Sequence, residues 1–275
     1  MVSAHDLLLG TTTVSANDAA VALAEGAAGS VAQWTALMND RAAGLGMHGS
    51  HFASANGFPD HGRTYVTAND MILLARALIE EHPQLYHRYF GQKAMTWRGT
   101  RLLSHDPLSG VLPGADGIKT GHSFEAGFNF LGSVARDGRR VVLVVGGSPG
   151  ETARAAAAQA LGEWSFAEWE SRVFLAPGMA VGAAKVQGGE ARIVRLGVPR
   201  SFSLAVPHGS GTRVSGTILY DGPLRAPLAK GQWVARLVIH LEGRPDHELP
   251  LVALDAVETA GPIDRIISGL LGLLS

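Results

Sequence analysis

Two short clusters carry residue types that could share acyl chemistry. Ser15-Ala16-Asn17 offers a hydroxyl and a carboxamide two positions apart. About a hundred residues later, Lys119-Thr120-Gly121-His122 adds an ammonium, a second hydroxyl and a slim stretch of backbone. A serine hydroxyl exchanges protons readily only when an amine or imidazole stands within hydrogen-bond reach. A lysine beside free backbone N–H groups suits a carboxylate or a growing oxyanion. Taken singly, each cluster has a plainer explanation. Ser15 and Asn17 read as helix caps, and Lys119 as a solvated loop lysine.

The words around these clusters tie them together. Thr13-Val-Ser-Ala-Asn-Asp-Ala-Ala20, Gly49-Ser-His-Phe-Ala-Ser-Ala-Asn56-Gly57 and Asp116-Gly-Ile-Lys-Thr-Gly-His122 follow one another in the chain. Their order and spacing match the S-x-N and K-T-G motifs of active-site-serine enzymes. The chain thus resembles the serine-type D-alanyl-D-alanine carboxypeptidases, the low-molecular-mass penicillin-binding proteins that trim peptidoglycan pentapeptides. The likeness runs along nearly the whole length. Ala16 departs from the glycine frequent at that position.

The resemblance implies a role for each residue. Ser15 relays a proton to or from the leaving D-alanine, and Asn17 hydrogen-bonds the substrate's peptide carbonyl. Lys119 brings positive charge to the base and the anionic substrate. Thr120 contacts the terminal carboxylate, Gly121 lies against the bound peptide, and the His122 N–H is one of two oxyanion-hole donors. Arg154 matches the arginine that receives the carboxylate, while a surface arginine in a helix's first turn is the competing reading. Stem peptides are then the substrate, and β-lactams acylate the full-length form. The expected location is the periplasm, peripheral on the inner membrane. Neither a cofactor nor a metal is implied.

One element of the family pattern is missing. Its nucleophilic serine and basic lysine share an S-x-x-K motif, one helical turn apart. The four lysines are Lys93, Lys119, Lys185 and Lys230, and none follows a serine at that spacing. Without a nucleophile a triad-type site loses several orders of magnitude in rate. The sequence therefore predicts a chain that lacks roughly its first hundred residues, counting a catalytic segment and a leader. Met1–Gly10 has no basic residue and only a three-leucine run, so it does not read as an export signal. The rival reading is a non-catalytic peptidoglycan- or protein-binding fragment.

Other functions fit poorly. Net charge is −1, with 23 basic against 24 acidic residues, which argues against a nucleic-acid binder. Zero cysteines exclude a thiolate nucleophile and a disulfide scaffold. His48, His51 and His61 lie near one another in a Gly-rich loop, a weak metal pattern. Gly146-Gly-Ser-Pro-Gly150 lacks a phosphate-binding arrangement.

The positioning elements follow from periodicity. Helices are predicted over Ala19–Ala28, capped by Asn17 and Asp18, then from Val31 to Leu45, over Met71–Glu81 after a capping box at Thr67, and over Glu151–Trp169. Residues 127–134 and 139–146 flank Asp137-Gly138 as a hairpin, with the neighbouring arginines lengthening the turn. Beyond about residue 172, short apolar runs alternate with Gly, Pro and Asp. The expected architecture is an α/β (α+β) fold in three parts. They are an incomplete penicillin-binding domain over 1–170, a small all-β, sandwich-like domain over 173–258, and an amphipathic helix over 261–275. That helix carries one apolar stripe, from Ile263 through Leu274, suited to peripheral membrane contact.

Overall fold

A computed structural model describes residues 1–241 and 245–261. It divides into two compact units, Met1–Ala167 and Glu168–Ser275. The predicted C-terminal amphipathic helix lies outside the described residues.

The first unit opens with three helices. Helix α1 (Ala4–Val14) starts at Ser3, whose hydroxyl accepts the Asp6 N–H, and stops at Ser15. Helix α2 (Asn17–Ala28) follows after two linking residues, Ser15 and Ala16. The expected caps are corrected here. Ala16 is the N-cap and makes no side-chain bond, while Asn17 and Asp18 already lie in the first turn. Asp18 there still complements the helix dipole. Gly29, with φ 81°, ends α2 as the sequence suggests, and Ser30 caps α3 (Val31–Gly44).

Helix α4 (Ala68–Glu81) starts at Thr67, whose hydroxyl accepts the Asp70 N–H at 3.1 Å. The reciprocal half of the capping box is absent. The Asp70 carboxylate accepts instead from the Gly49 N–H at 2.9 Å and the Ser50 hydroxyl at 2.6 Å, pinning a loop to the helix start. Helix α5 (Pro83–Tyr89) places proline at its first turn. Hairpin β1 (Ala94–Trp97) and β2 (Thr100–Leu103) follows. Neither α1 nor this hairpin has a periodic signature long enough to be legible in the sequence.

A three-stranded antiparallel sheet organises the unit, in the order β3 (Ala115–Ser123), β4 (Gly127–Arg136), β5 (Arg139–Ser148). Pairing reaches Arg136–Arg139, so the turn holds only Asp137 and Gly138, at φ 51° and 73°. Both positive angles define a tight type I′ turn, which overturns the expected lengthening. Side chains alternate between the faces. Phe130, Val134, Leu143 and Val145 pack with Ala158 of α6 (Glu151–Ala167) on one side. Ile118, Leu131 and Val142 meet Ala75 and Leu78 of α4 on the other. Gly91, at φ 68°, lets the end of α5 approach β3, since a Cβ there would lie 2.5 Å from the Asp116 carbonyl oxygen.

Among the described residues, the regular elements of the second unit are strands. Trp169, expected in helix α6, begins β6 (Trp169–Leu175) and pairs with Pro207 of β9 (Phe202–Pro207). The cross-strand partner overrides the helical pattern there. The larger sheet runs β10 (Ser215–Leu219), β12 (Trp233–His240), β13 (His247–Ala253), β8 (Ile193–Gly197), β7 (Ala180–Gln187), β11 (Leu224–Arg225). Leu196, Leu251, Ile239 and Val257 fill its core with almost no exposure.

Candidate active site

Ser15 stands at the α1–α2 corner in the left-handed region, φ 59° and ψ 39°. A non-glycine residue holds that conformation at a cost of about 1 kcal/mol or more. The N–H groups of Ser15 and Ala16 both turn onto the Gly10 carbonyl and so over-determine the corner. A serine cap on α2, the plainer sequence explanation, is not made. The hydroxyl instead accepts from the Lys119 ammonium at 3.0 Å, closing a contact between residues 104 apart. The same ammonium donates to the Thr120 carbonyl at 2.7 Å.

Lys119 lies on β3, which is the edge of its sheet among the described residues. Burial pushes its pKa down to about 8, with the Arg154 charge adding to the effect. At pH 7 about a tenth of such a lysine is neutral. It can therefore hand a proton to Ser15 and take one back near neutrality. Along an edge strand, half of the backbone N–H and C=O groups face away from the partner strand and are free to pair an extended peptide.

Arg154 is 4% exposed in the first turns of α6. Its Nη2 donates to Glu151 at 3.1 Å, while its Nε–H is buried without a partner. The guanidinium carbon sits 5.8 Å from the Phe128 ring centre, and Phe128 stacks on His122 at 3.9 Å. Phe128 thus touches both Arg154 and His122, the latter three residues along β3 from Lys119. Thr120 is half-buried and Gly121 exposed. Neither the Thr120 hydroxyl nor the exposed Asn17 carboxamide has a hydrogen-bond partner among the described residues.

A hollow of about 740 Å³ opens along β3, with Lys119, Thr120 and Gly121 on one wall and Thr12, Met71 and Phe90 on others. Elsewhere, His51 is occupied by the Arg63 carbonyl at 2.8 Å and by the stacked ring of Tyr65. His48, His51 and His61 do not assemble a metal-holding group among the described residues. Two members of the site carry no signal in the sequence. Phe128 reads there only as a strand residue, and Asp106, whose buried Oδ2 has no partner, sits in a loop without a motif.

Comparison with known proteins places the chain in a family. Residues 1–150 match the D-alanyl-D-alanine carboxypeptidase family, and residues 169–259 match the penicillin-binding protein 5 C-terminal domain. The D-alanyl-D-alanine carboxypeptidase DacD of Salmonella typhimurium is 32% identical over 267 residues, covering 96% of this chain and 68% of that protein. Penicillin-binding protein 5 from Haemophilus influenzae superposes with a TM-score of 0.77 at 30% identity, covering 94% of this chain and 75% of that one. Penicillin-binding protein D2 from Listeria monocytogenes, solved in an ampicillin-bound form, is 34% identical at a TM-score of 0.56, over 60% of this chain and 68% of that one. The chain belongs to the D-alanyl-D-alanine carboxypeptidase family of penicillin-binding proteins, in the class of serine hydrolases.

Proposed function

We propose that this chain forms the recognition wall of a carboxypeptidase cleft acting on stem peptides that end in D-Ala-D-Ala. The observation that carries the reading is the 3.0 Å bond from Lys119 to Ser15, made on an open strand edge. In this reading the substrate lies extended along β3. Asn17 donates its carboxamide N–H to the peptide carbonyl, and the backbone N–H of His122 points at the scissile carbonyl oxygen. Thr120 and Arg154 hold the terminal carboxylate, and Gly121 leaves room for the peptide to pass. The buried Nε of Arg154 and the unpartnered Thr120 hydroxyl support this assignment. Lys119 and Ser15 pass a proton to the departing D-alanine nitrogen.

The acyl-forming serine of the family sits in S-x-x-K, a spacing found nowhere in this sequence. We therefore assign recognition and proton relay to these residues and acylation to none of them. A periplasmic location, with residues 261–275 resting on the inner membrane, belongs to the same proposal. So does the division into a catalytic domain over 1–170, a β domain over 173–258 and that terminal helix.

Calorimetry with an N-acetylated peptide ending in D-Ala-D-Ala tests recognition. The expected result is binding that weakens strongly when the ligand carries L-alanines or a C-terminal amide. Equal affinity for all three ligands would overturn the assignment. A fluorescent penicillin is expected to leave no covalent band after denaturing electrophoresis, and a stable band would place a nucleophile among this chain's own serines.

A further inference from the structure

Arg154 is the least exposed charged side chain of the site, and few groups hold it. A guanidinium keeps its proton, so its burial is costly unless an anion stands near. Its one hydrogen-bonded anion is Glu151, three residues earlier and 69% exposed. An exposed partner of that kind contributes little.

Three buried side-chain atoms lack partners among the described residues, and two belong to opposite charges of this region: Arg154 Nε and Asp106 Oδ2. Packing brings the Asp106 loop against α6. Leu108 and Leu112, just beyond Asp106, pack in one cluster with Ala158, one helical turn after Arg154. Gln159 Nε2 donates to the Pro107 carbonyl at 3.3 Å and ties the loop to the helix. The Leu108 N–H donates to Asp106 Oδ1 at 2.8 Å, which fixes the carboxyl and leaves Oδ2 free.

The charges also sense each other. Burial raises the Asp106 pKa and the neighbouring Asp116 charge adds to that, whereas the Arg154 charge lowers it. Asp116 has its own partner, Arg140, at 2.8 Å. Asp106 is thus the buried carboxylate left to balance Arg154.

We propose that Asp106 is a positioning residue for Arg154: its Oδ2 holds the Nε–H edge of the guanidinium through one bridging water, and so turns the Nη edge toward the ligand's carboxylate. This rests on the reading of Arg154 as the carboxylate receptor. Unlike that reading, it gives Asp106 no contact with substrate. It predicts an effect on discrimination between carboxylate and amide ligands, transmitted through another side chain.

Asp106→Asn keeps the shape and removes the charge. Its affinity for the D-Ala-D-Ala carboxylate should fall about tenfold, the cost of a weakened charge-assisted hydrogen bond. Its affinity for the C-terminal amide should stay unchanged. Should Asp106→Asn fold poorly, the unsubstituted chain supplies the second measurement. With ¹⁵N-labelled arginine, Arg154 Nε–H should give a slowly exchanging resonance, as expected of a group held through one ordered water. A solvent-like, rapidly exchanging resonance overturns the proposal, as does an unchanged carboxylate-to-amide ratio in Asp106→Asn. A slow Nε–H in a chain that does not distinguish carboxylate from amide would keep Asp106 as the partner and overturn the receptor role of Arg154.

Discussion

Two arginines, one in each unit, show how differently this chain treats charge. Arg195, 63% exposed in the second unit, makes a two-pronged pair with Asp255 at 2.8 and 2.7 Å. Arg154, 4% exposed in the first unit, has one bond to an exposed glutamate and a buried Nε with none. The better-bonded arginine is the one that does least. Water already solvates Arg195, so its geometry reports complementarity and little energy. Arg154 has given up water without a full set of replacements, which is the state of a group kept ready for a ligand.

The hollows repeat the lesson. A groove of about 800 Å³ in the second unit, beside Trp233, is similar in size to the one along β3. Yet two of its three charged lining residues, Arg236 and Glu248, are already paired at 2.9 Å. The hollow along β3 carries Lys119, half-buried and displaced from its ordinary pKa.

The largest test of this contrast is on the cores. Phe130→Ala should cost about 3–5 kcal/mol, and Leu251→Ala about 2–5 kcal/mol, because both side chains are almost fully buried. Scanning calorimetry should show each substitution lowering the transition of its own unit. A single transition moved equally by both would erase the distinction between the units.

Lys119→Met comes next. It should weaken binding of the D-Ala-D-Ala peptide about 10- to 100-fold, the loss of one or two charge-assisted contacts. Lys185→Met, in the second unit, should change nothing. The same variant carries a pH signature. Lys119 titrates near 8 in the fold and near 10.5 unfolded, so between those values the unfolded chain binds more protons. Stability contributed by this group therefore rises with pH across that window, by about 3 kcal/mol in all. Denaturant titrations from pH 8 to 10 should show that slope in the parent chain and a flatter one in Lys119→Met. Equal slopes would mean that Lys119 is solvated.

Smaller effects follow. Thr67→Ala removes the cap of α4 and should cost about 1 kcal/mol by urea denaturation. It should also loosen the loop that Asp70 holds at Gly49 and Ser50, read as faster amide exchange there. Arg195→Ala should leave Tm unchanged within error, as expected of a solvated pair. A marked drop in Tm would put the surface pair among the contributors to stability and weaken the contrast drawn above.

Much of the first unit was legible because its signals are local. Thr67, Ser30, Gly29 and the Asp137-Gly138 turn each act within a few residues, through a single hydroxyl or a single positive φ. The errors share a cause as well. Asn17 and Asp18 have capping side chains, yet the abrupt corner at Ser15 moves the start of α2 back to Ala16. Trp169 continues an apolar helical stripe, yet pairing with Pro207 turns it into strand. In both places a neighbour distant in sequence, or a tight chain reversal, outweighs propensities worth tenths of a kcal/mol.

By itself, the sequence determined the residue types of the site, their order and the family they mark, because motif spacing is a linear property. It also determined that no serine stands three residues before a lysine. Only the tertiary structure decided that Lys119 donates to Ser15, that Phe128 touches both His122 and Arg154, and that Leu108 and Leu112, just beyond Asp106, pack against Ala158, one turn after Arg154. Those relations depend on which groups lose water together. Desolvation is set by packing across the fold, which no spacing along the chain records.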